Sequence, residues 1–320
     1  MKFYLAPMEG VTGHVYRTAY HAFFHNVDKY FSPFIVANQH NSLKTRELKD
    51  IAPENNQGMY LVPQILTNNS EYFINTSKAL TTYGYNEVNL NLGCPAGTVV
   101  SKGKGSGFLA LKEQLNQFLY EIFEAQVTEI SIKTRIGKDS PDEFYELLQI
   151  YNQYPIKELI IHPRVQKDMY KNQPNLRMFL HAMAESKHKL VYNGDIFTKS
   201  DYENTLEQIG DVDTMMLGRG LLANPGLVNL LSKGVELDKN RLWQFYQKVF
   251  EDYKIALKAD RDVLFKMKEL WFYMINIFSE HEKYAKKIKK ADKLSDYCRA
   301  VELLFHEQEI VSGFGYRCNR

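Results

Sequence analysis

The stretch NLNLGCPAGTVVSKGKGSG, Asn89 to Gly107, puts Cys94 in a Gly-Cys-Pro corner at the end of an apolar run. A thiol at such a corner is either a packing residue that falls at a turn or a reactive group placed there. With an ordinary pKa of about 8.5 a thiol is mostly protonated at neutral pH and can donate a proton, whereas a nucleophile needs the thiolate. Other polar residues fall at comparable places, each closing a short β-rich run. They are Pro7 and Met8, Gln64, Asn91 beside Cys94, Lys133 and Arg135, His162 and Arg164, Asn193 with Gly194 and Asp195, and Gly218 with Arg219. A lysine inside an apolar run such as SIKTR is uncommon, because an ammonium is seldom buried without a partner. NGDIFT and GRGLLANPG set glycine-flanked backbone N–H groups before helices, with an arginine close by. That arrangement suits a phosphate, and tight turns are the alternative use of the glycines.

Eight runs carry these residues: Lys2–Met8, Tyr30–Val36, Tyr60–Leu66, Glu87–Leu92, Glu129–Arg135, Glu158–Pro163, Lys189–Asn193 and Asp213–Gly218. Segments of helical spacing separate most of them. Leu115, Phe118, Leu119, Ile122 and Phe123 are one example, and Ser140-Pro141 and Ser200-Asp201 read as helix starts. Strand alternating with helix eight times predicts an α/β fold, a (β/α)8 TIM barrel whose chemistry lies at the strand C-termini. A doubly wound sheet is the second choice, lowered because no G-x-G-x-x-G follows the first run. From Arg241 the pattern becomes helical, with stripes Leu242–Leu257 and Val263–Ile277 and a third run, Tyr297–Glu309. The expected domains are a barrel over residues 1–235 and an all-helical domain over 241–320, joined by Gly234–Asn240.

Of 320 residues, 44% are hydrophobic and 24% charged, which describes an ordinary globular chain. No apolar run approaches the ~20 residues of a membrane span, and the N-terminal apolar stretch is short for a signal peptide, so a cytoplasmic protein is expected. Three widely spaced cysteines, Cys94, Cys298 and Cys318, oppose a disulfide framework and a zinc ribbon, and no metal is expected. The net charge of +2 is too mild to announce a nucleic-acid partner, so any basic surface must be local. Lys283, Lys286, Lys287, Lys289, Lys290 and Lys293 fall on overlapping helical faces, and Lys102 and Lys104 lie just after Cys94.

APMEGVT, NLNLGCPAGTVVSKGKGSG, SIKTRIG, IIHPR, VYNGDI and MMLGRG together resemble the tRNA-dihydrouridine synthase family, in its order, over about residues 3–226. The resemblance implies an FMN-binding barrel with a helical domain that binds tRNA, and NADPH as electron source. It implies reduction of the C5–C6 bond of a D-loop uridine, with hydride to C6 and a proton from Cys94 to C5. Lys133 would steady the charge of the reduced flavin. Gln64 would bond the ring edge, and Pro7 and Met8 would pack on the ring, with His162 over it. Asn193, Gly194, Asp195, Gly218 and Arg219 would hold the ribityl chain and phosphate. Asn91, Arg135, Arg164, Lys102, Lys104, Lys286 and Lys290 would meet the RNA. The glycines after Cys94 suggest a loop that orders on substrate, and the uridine must be flipped out to reach the barrel mouth. A monomer is expected. One departure is His162-Pro163-Arg164 where the family pattern has glycine, which removes an N–H. Another is Phe108 at a position of small residues. A flavin reductase of a free pyrimidine, like dihydroorotate dehydrogenase, and a non-catalytic RNA-binding flavoprotein are the alternatives.

Overall fold

The computed structural model describes residues 1–40 and 42–316, so Cys318 lies outside the described residues. All eight expected strands are present. They are β1 (Lys2–Leu5), β2 (Lys29–Phe31 and Ile35–Val36), β3 (Leu61–Val62 and Gln64–Leu66), β4 (Glu87–Leu92), β5 (Glu129–Arg135), β6 (Leu159–His162), β7 (Leu190–Tyr192) and β8 (Thr214–Leu217). The second and third are each broken at a proline, Pro33 and Pro63, which has no N–H for the ladder. Ser32 repairs the gap by accepting the Gln64 N–H on its hydroxyl at 3.1 Å.

The registered pairs are all parallel. The hydrogen-bonded order begins with Ile35–Val36 on Gln64–Leu66, runs through β4 to β8 and β1, and ends with Lys29–Phe31 on Leu61–Val62. Its two ends are therefore halves of the same two strands, and the sheet closes into an eight-stranded barrel. Strand β4 shows how such a strand is built: Val88, Leu90 and Leu92 share one face, and Glu87, Asn89 and Asn91 the other, all six buried. Tyr4, Ala6, Phe31, Val62, Ile160, Val191 and Met216 pack together as a core cluster.

Helix starts differ slightly from the expected ones. Lys199–Ile209 begins at Thr198, whose hydroxyl accepts the Asp201 N–H at 3.1 Å while the Asp201 carboxylate accepts the Thr198 N–H at 2.9 Å. This reciprocal box places the cap two residues before Ser200. Glu143–Tyr151 starts beyond Ser140-Pro141, because the Glu143 carboxylate gathers the N–H groups of Lys138, Asp139 and Ser140.

The described residues divide into two compact units. One comprises Met1–Pro7, Lys29–Asp195 and Leu206–Met216, which hold the barrel. The other comprises Met8–Asp28, Ile196–Thr205 and the chain from Leu217 onward. Within the second unit, helices Lys239–Ala256, Asp260–Met274, Glu282–Lys290 and Leu294–Glu307 are joined by His14–Phe24. Phe245 seats that early helix, with its ring 5.4 to 6.4 Å from those of Tyr16, Tyr20, Phe23 and Phe24. Among the described residues no helix is long and apolar enough to cross a membrane.

The barrel floor holds a buried charge network that the sequence reading missed. The Lys29 ammonium meets Glu87 at 3.1 Å and Glu158 at 2.7 Å, and Glu158 also accepts from Tyr4 at 2.8 Å and Lys189 at 2.7 Å. Burial alone would raise the Glu158 pKa, but hydrogen bonds from Lys189 and Lys29 outweigh it and hold the carboxyl below its ordinary value. Removing the shared cation takes one partner from each of two buried carboxylates, leaving Glu87 with Lys157 at 2.9 Å and Glu158 with Lys189 and Tyr4. Lys29→Met is expected to cost about 1–3 kcal/mol in urea unfolding at neutral pH. The wild-type contribution persists above the ordinary glutamate pKa of about 4.3 and disappears as pH falls through the lowered value of Glu158. A variant as stable as wild type at pH 7 would contradict this.

Candidate active site

Strand β4 ends in the corner Gly93-Cys94-Pro95, and each backbone polar group there has a partner. The Asn91 side-chain oxygen accepts the N–H of Gly93 at 3.0 Å and of Cys94 at 2.9 Å. The Gly93 carbonyl accepts from Arg135 Nε at 3.0 Å and the Pro95 carbonyl from Gln166 at 3.2 Å. The Cys94 carbonyl accepts both the N–H and the hydroxyl of Ser106, at 3.1 and 2.8 Å. Gly105 has φ +56, and a Cβ there would lie 2.8 Å from the Cys94 carbonyl oxygen, so glycine is required where the chain folds back. The loop expected to order on substrate is thus already folded, as a helical turn Gly97–Val100 and a 3-10 segment Gly105–Ala110. Phe108 is buried, its ring edge on Phe118 at 5.4 Å, which accounts for the large residue there. The Cys94 thiol itself is half-buried.

Asn91 is oriented by a chain of side chains. Its NH2 donates to Gln64 at 2.7 Å, Gln64 donates to Asn89 at 2.8 Å, and Asn89 donates to Ser131 at 3.0 Å. Gln64 is wholly buried, with both ends of its amide engaged. Asn89 and Ser131 were not singled out from sequence; Asn89 lies two residues from Asn91 on the same strand face, and that period was the available signal.

Lys133 pairs in register with Asn91 across β4 and β5. Among the described residues its ammonium makes no hydrogen bond or ion pair. Burial, with the Arg135 guanidinium adding to it, pushes its pKa down to about 7, while Cys94 acts weakly in the opposite sense. Arg135 is buried, and its fork also reaches the carbonyls of Val165 at 2.9 Å and Met169 at 2.8 Å, with Tyr170 against its face at 5.4 Å. Tyr170, on a loop distant in sequence, gave no signal beforehand.

At the end of β6 the Arg164 N–H bonds the His162 carbonyl at 2.7 Å, which closes a three-residue turn centred on Pro163. Proline's fixed φ is the φ of an inverse γ-turn, so the departure from glycine is structurally accommodated. The buried Arg164 guanidinium donates to His162 Nε2 at 2.8 Å, which leaves that ring's proton on Nδ1. It also grips both Asp195 oxygens, one at 2.9 Å, and donates to the Asn172 carbonyl at 2.6 Å. Asn193 donates to the Met216 carbonyl at 2.8 Å. A Cβ on Gly194 would sit 2.0 Å from the Tyr192 hydroxyl, so nothing larger fits.

Pro7 ends the first barrel segment, whereas Met8, Gly218 and Arg219 belong to the other unit. There the Met8 carbonyl accepts the N–H groups of Val11 and Thr12, and Gly218 caps the short helix Arg219–Ala223. Lys102 is exposed, and Lys104 is half-buried, with its pKa lowered by burial and then by Lys102. On Glu282–Lys290, Tyr284 and Ile288 are buried, and Lys286, Lys287, Lys289 and Lys290 are exposed with no carboxylate partner among the described residues. Lys283 of the expected stripe is paired with Glu307 at 3.2 Å. Among the described residues no group of three or more His, Cys, Asp or Glu side chains could hold a metal ion.

Solved structures with this fold include morphinone reductase, 12% identical, covering 74% of this chain and 87% of that one with a TM-score of 0.51. TcOYE with pHBA is 10% identical, covering 81% and 96% with a TM-score of 0.53. The probable tRNA-dihydrouridine synthase of Staphylococcus aureus strain COL is 30% identical over 238 residues, 70% of this chain and 69% of that protein. tRNA-dihydrouridine synthase B of Pasteurella multocida strain Pm70 is 24% identical over 238 residues, 74% and 70% of the two chains. The pattern described as dihydrouridine synthase (Dus) matches residues 4–312, so nearly all of the barrel and most of the helical region are covered, and the chain belongs to the dihydrouridine synthase family.

Proposed function

We propose that this chain is a tRNA-dihydrouridine synthase that uses FMN and NADPH to reduce the C5–C6 double bond of a D-loop uridine. One observation within the family fold carries the reading. A half-buried ammonium without an acceptor among the described residues, Lys133, stands one strand from an anchored thiol, Cys94. An unpartnered cation in a barrel mouth fits an anionic group, and the N1/O2 edge of a reduced flavin is one. The bound flavin would supply the hydride for C6.

The protein's own residues do the rest. Lys133 attracts the charged ring edge. Gln64, with one N–H and one lone pair remaining, bonds the ring, and Pro7, Met8 and His162 pack about it. Asn193, Gly194, Asp195, Gly218 and Arg219 take the ribityl chain and phosphate. Cys94 holds a proton on Sγ and delivers it to C5. Asn91 and Arg135 fix the corner from which Sγ points, and Arg164 holds Asp195. The uridine enters flipped out of its stack. Lys102 and Lys104 meet nucleotides beside the target, and Lys286 and Lys290, in the helical domain over 241–320, meet phosphates farther away. The exposed lysine face favours tRNA over a free pyrimidine, which needs no such surface. We place the reaction in the cytoplasm, carried out by a monomer.

Cys94→Ala is expected to keep FMN and tRNA binding and to lower kcat by about 10²- to 10⁴-fold, measured as dihydrouridine formed per flavin. Full activity would remove Cys94 as the acid. Lys286→Glu with Lys290→Glu should raise KM for tRNA about tenfold at physiological salt, leaving flavin content unchanged. An unaltered KM would exclude that face. Lys133→Met tests the cation. The folded protein binds fewer protons than the unfolded chain between pH 7 and the ordinary lysine value of 10.5, so the burial penalty is full below pH 7 and fades above it. The variant apoprotein should therefore gain more stability at pH 6 than at pH 10 while losing tight flavin binding. Equal gains at both pH values would show that Lys133 is not titrating as described.

A further inference from the structure

The segment Ser312–Tyr316 lies far along the chain from Arg219, yet its last described side chain packs on that arginine. Within the second unit, the Arg219 guanidinium carbon lies 5.1 Å from the Phe197 ring centre and 5.4 Å from that of Tyr316. The two rings are 5.4 Å apart and inclined at 60°, so the guanidinium sits in the wedge between them. Both walls are themselves held. Phe197 precedes the Thr198–Asp201 capping box, and its N–H donates to the Asp201 carboxylate at 3.1 Å. Tyr316 packs on Tyr273 at 5.5 Å and Phe272 at 6.1 Å. The chain before it is fastened by Ser312 to Glu236 at 2.6 Å. Gly315 lies so close that a Cβ would meet the Phe197 carbonyl oxygen at 2.2 Å, so this approach admits only glycine.

We infer that Tyr316 and Phe197 are positioning residues for the phosphate-binding arginine, and that Ser312–Tyr316 is thereby part of the FMN site. The inference rests on the proposed role of Arg219 as a phosphate ligand. The two ring centres and the guanidinium carbon form a near-equilateral triangle, so both rings pack against one side of the group and limit its swing, and a guanidinium held in this way can make paired in-plane bonds to a phosphate. Restricting a long side chain before the ligand arrives lowers the ordering cost of binding. Arg219, Phe197 and Tyr316 are each half-buried, and losing a partly desolvated cation–π contact that orders the arginine is read as a change in Kd of up to about tenfold.

The test compares FMN with riboflavin, which lacks the phosphate, by titrating the quenching of flavin fluorescence with apoprotein. Tyr316→Ala should raise the FMN Kd by up to about tenfold and leave the riboflavin Kd unchanged, and Tyr316→Phe should restore FMN binding. In an Arg219→Ala background, Tyr316→Ala should add nothing. Arg219→Ala weakening FMN while Tyr316→Ala does not would overturn the inference and spare the phosphate assignment. An FMN Kd indifferent to Arg219→Ala would overturn both. Equal loss of FMN and riboflavin in Tyr316→Ala would show a general structural role and also defeat the inference.

Discussion

The backbone of Gly93-Cys94-Pro95 has no polar group without a hydrogen bond, and the role proposed for Cys94 depends on that condition. Two N–H groups converge on the Asn91 oxygen, and three carbonyls are held by Arg135, Ser106 and Gln166. The partners come from β4, from the loop after Cys94, from the end of β5 and from the loop after β6. A backbone so constrained fixes where the Cys94 side chain starts, which suits the proton delivery proposed for it. The Asn91 amide cannot rotate without breaking its bond to Gln64, whose own orientation is set by Asn89 and Ser131. The position of the Cys94 backbone is therefore held by polar contacts across three strands.

Two lysines of the barrel, the buried Lys29 and the half-buried Lys133, show opposite uses of the same side chain. Lys29 on the floor shares two carboxylates, Glu87 and Glu158, and helps hold the strand ends together. Among the described residues Lys133, near the rim, has no such partner, and its pKa falls to about 7. An ammonium in that condition destabilises the protein alone and is useful only when an anion arrives. The barrel thus concentrates stability at the N-terminal ends of its strands and leaves unsatisfied charge at the other end, the division expected of this architecture.

The arginines near the rim act on other parts of the protein. Arg135 and Arg164 are both buried, and their donors are taken by carbonyls, by His162 and by Asp195. The resemblance implies contact with RNA for both, and within the structure their geometry serves the corner at Cys94 and the carboxylate of Asp195. Pro163 fits the same picture. The turn that directs Arg164 toward Asp195 has the φ that proline already holds.

The strands and the rim residues were legible in the sequence because both follow local rules. Parallel barrel strands are buried on two faces and read as short apolar runs, and the residues closing those runs must lie on one rim. Closure of the sheet, by contrast, appears only in the pairing, where broken strands β2 and β3 supply both ends of the order. The grouping of His14–Phe24 with helices more than 200 residues later is decided by aromatic contacts on Phe245, which no local period encodes. The same holds for the lysine, glutamate and tyrosine network on the floor and for the partners of Arg135. A sequence determines which groups are available and which face of an element they occupy. Whether a charge finds a partner depends on distances between segments remote in the chain, and those exist only once the strands have closed.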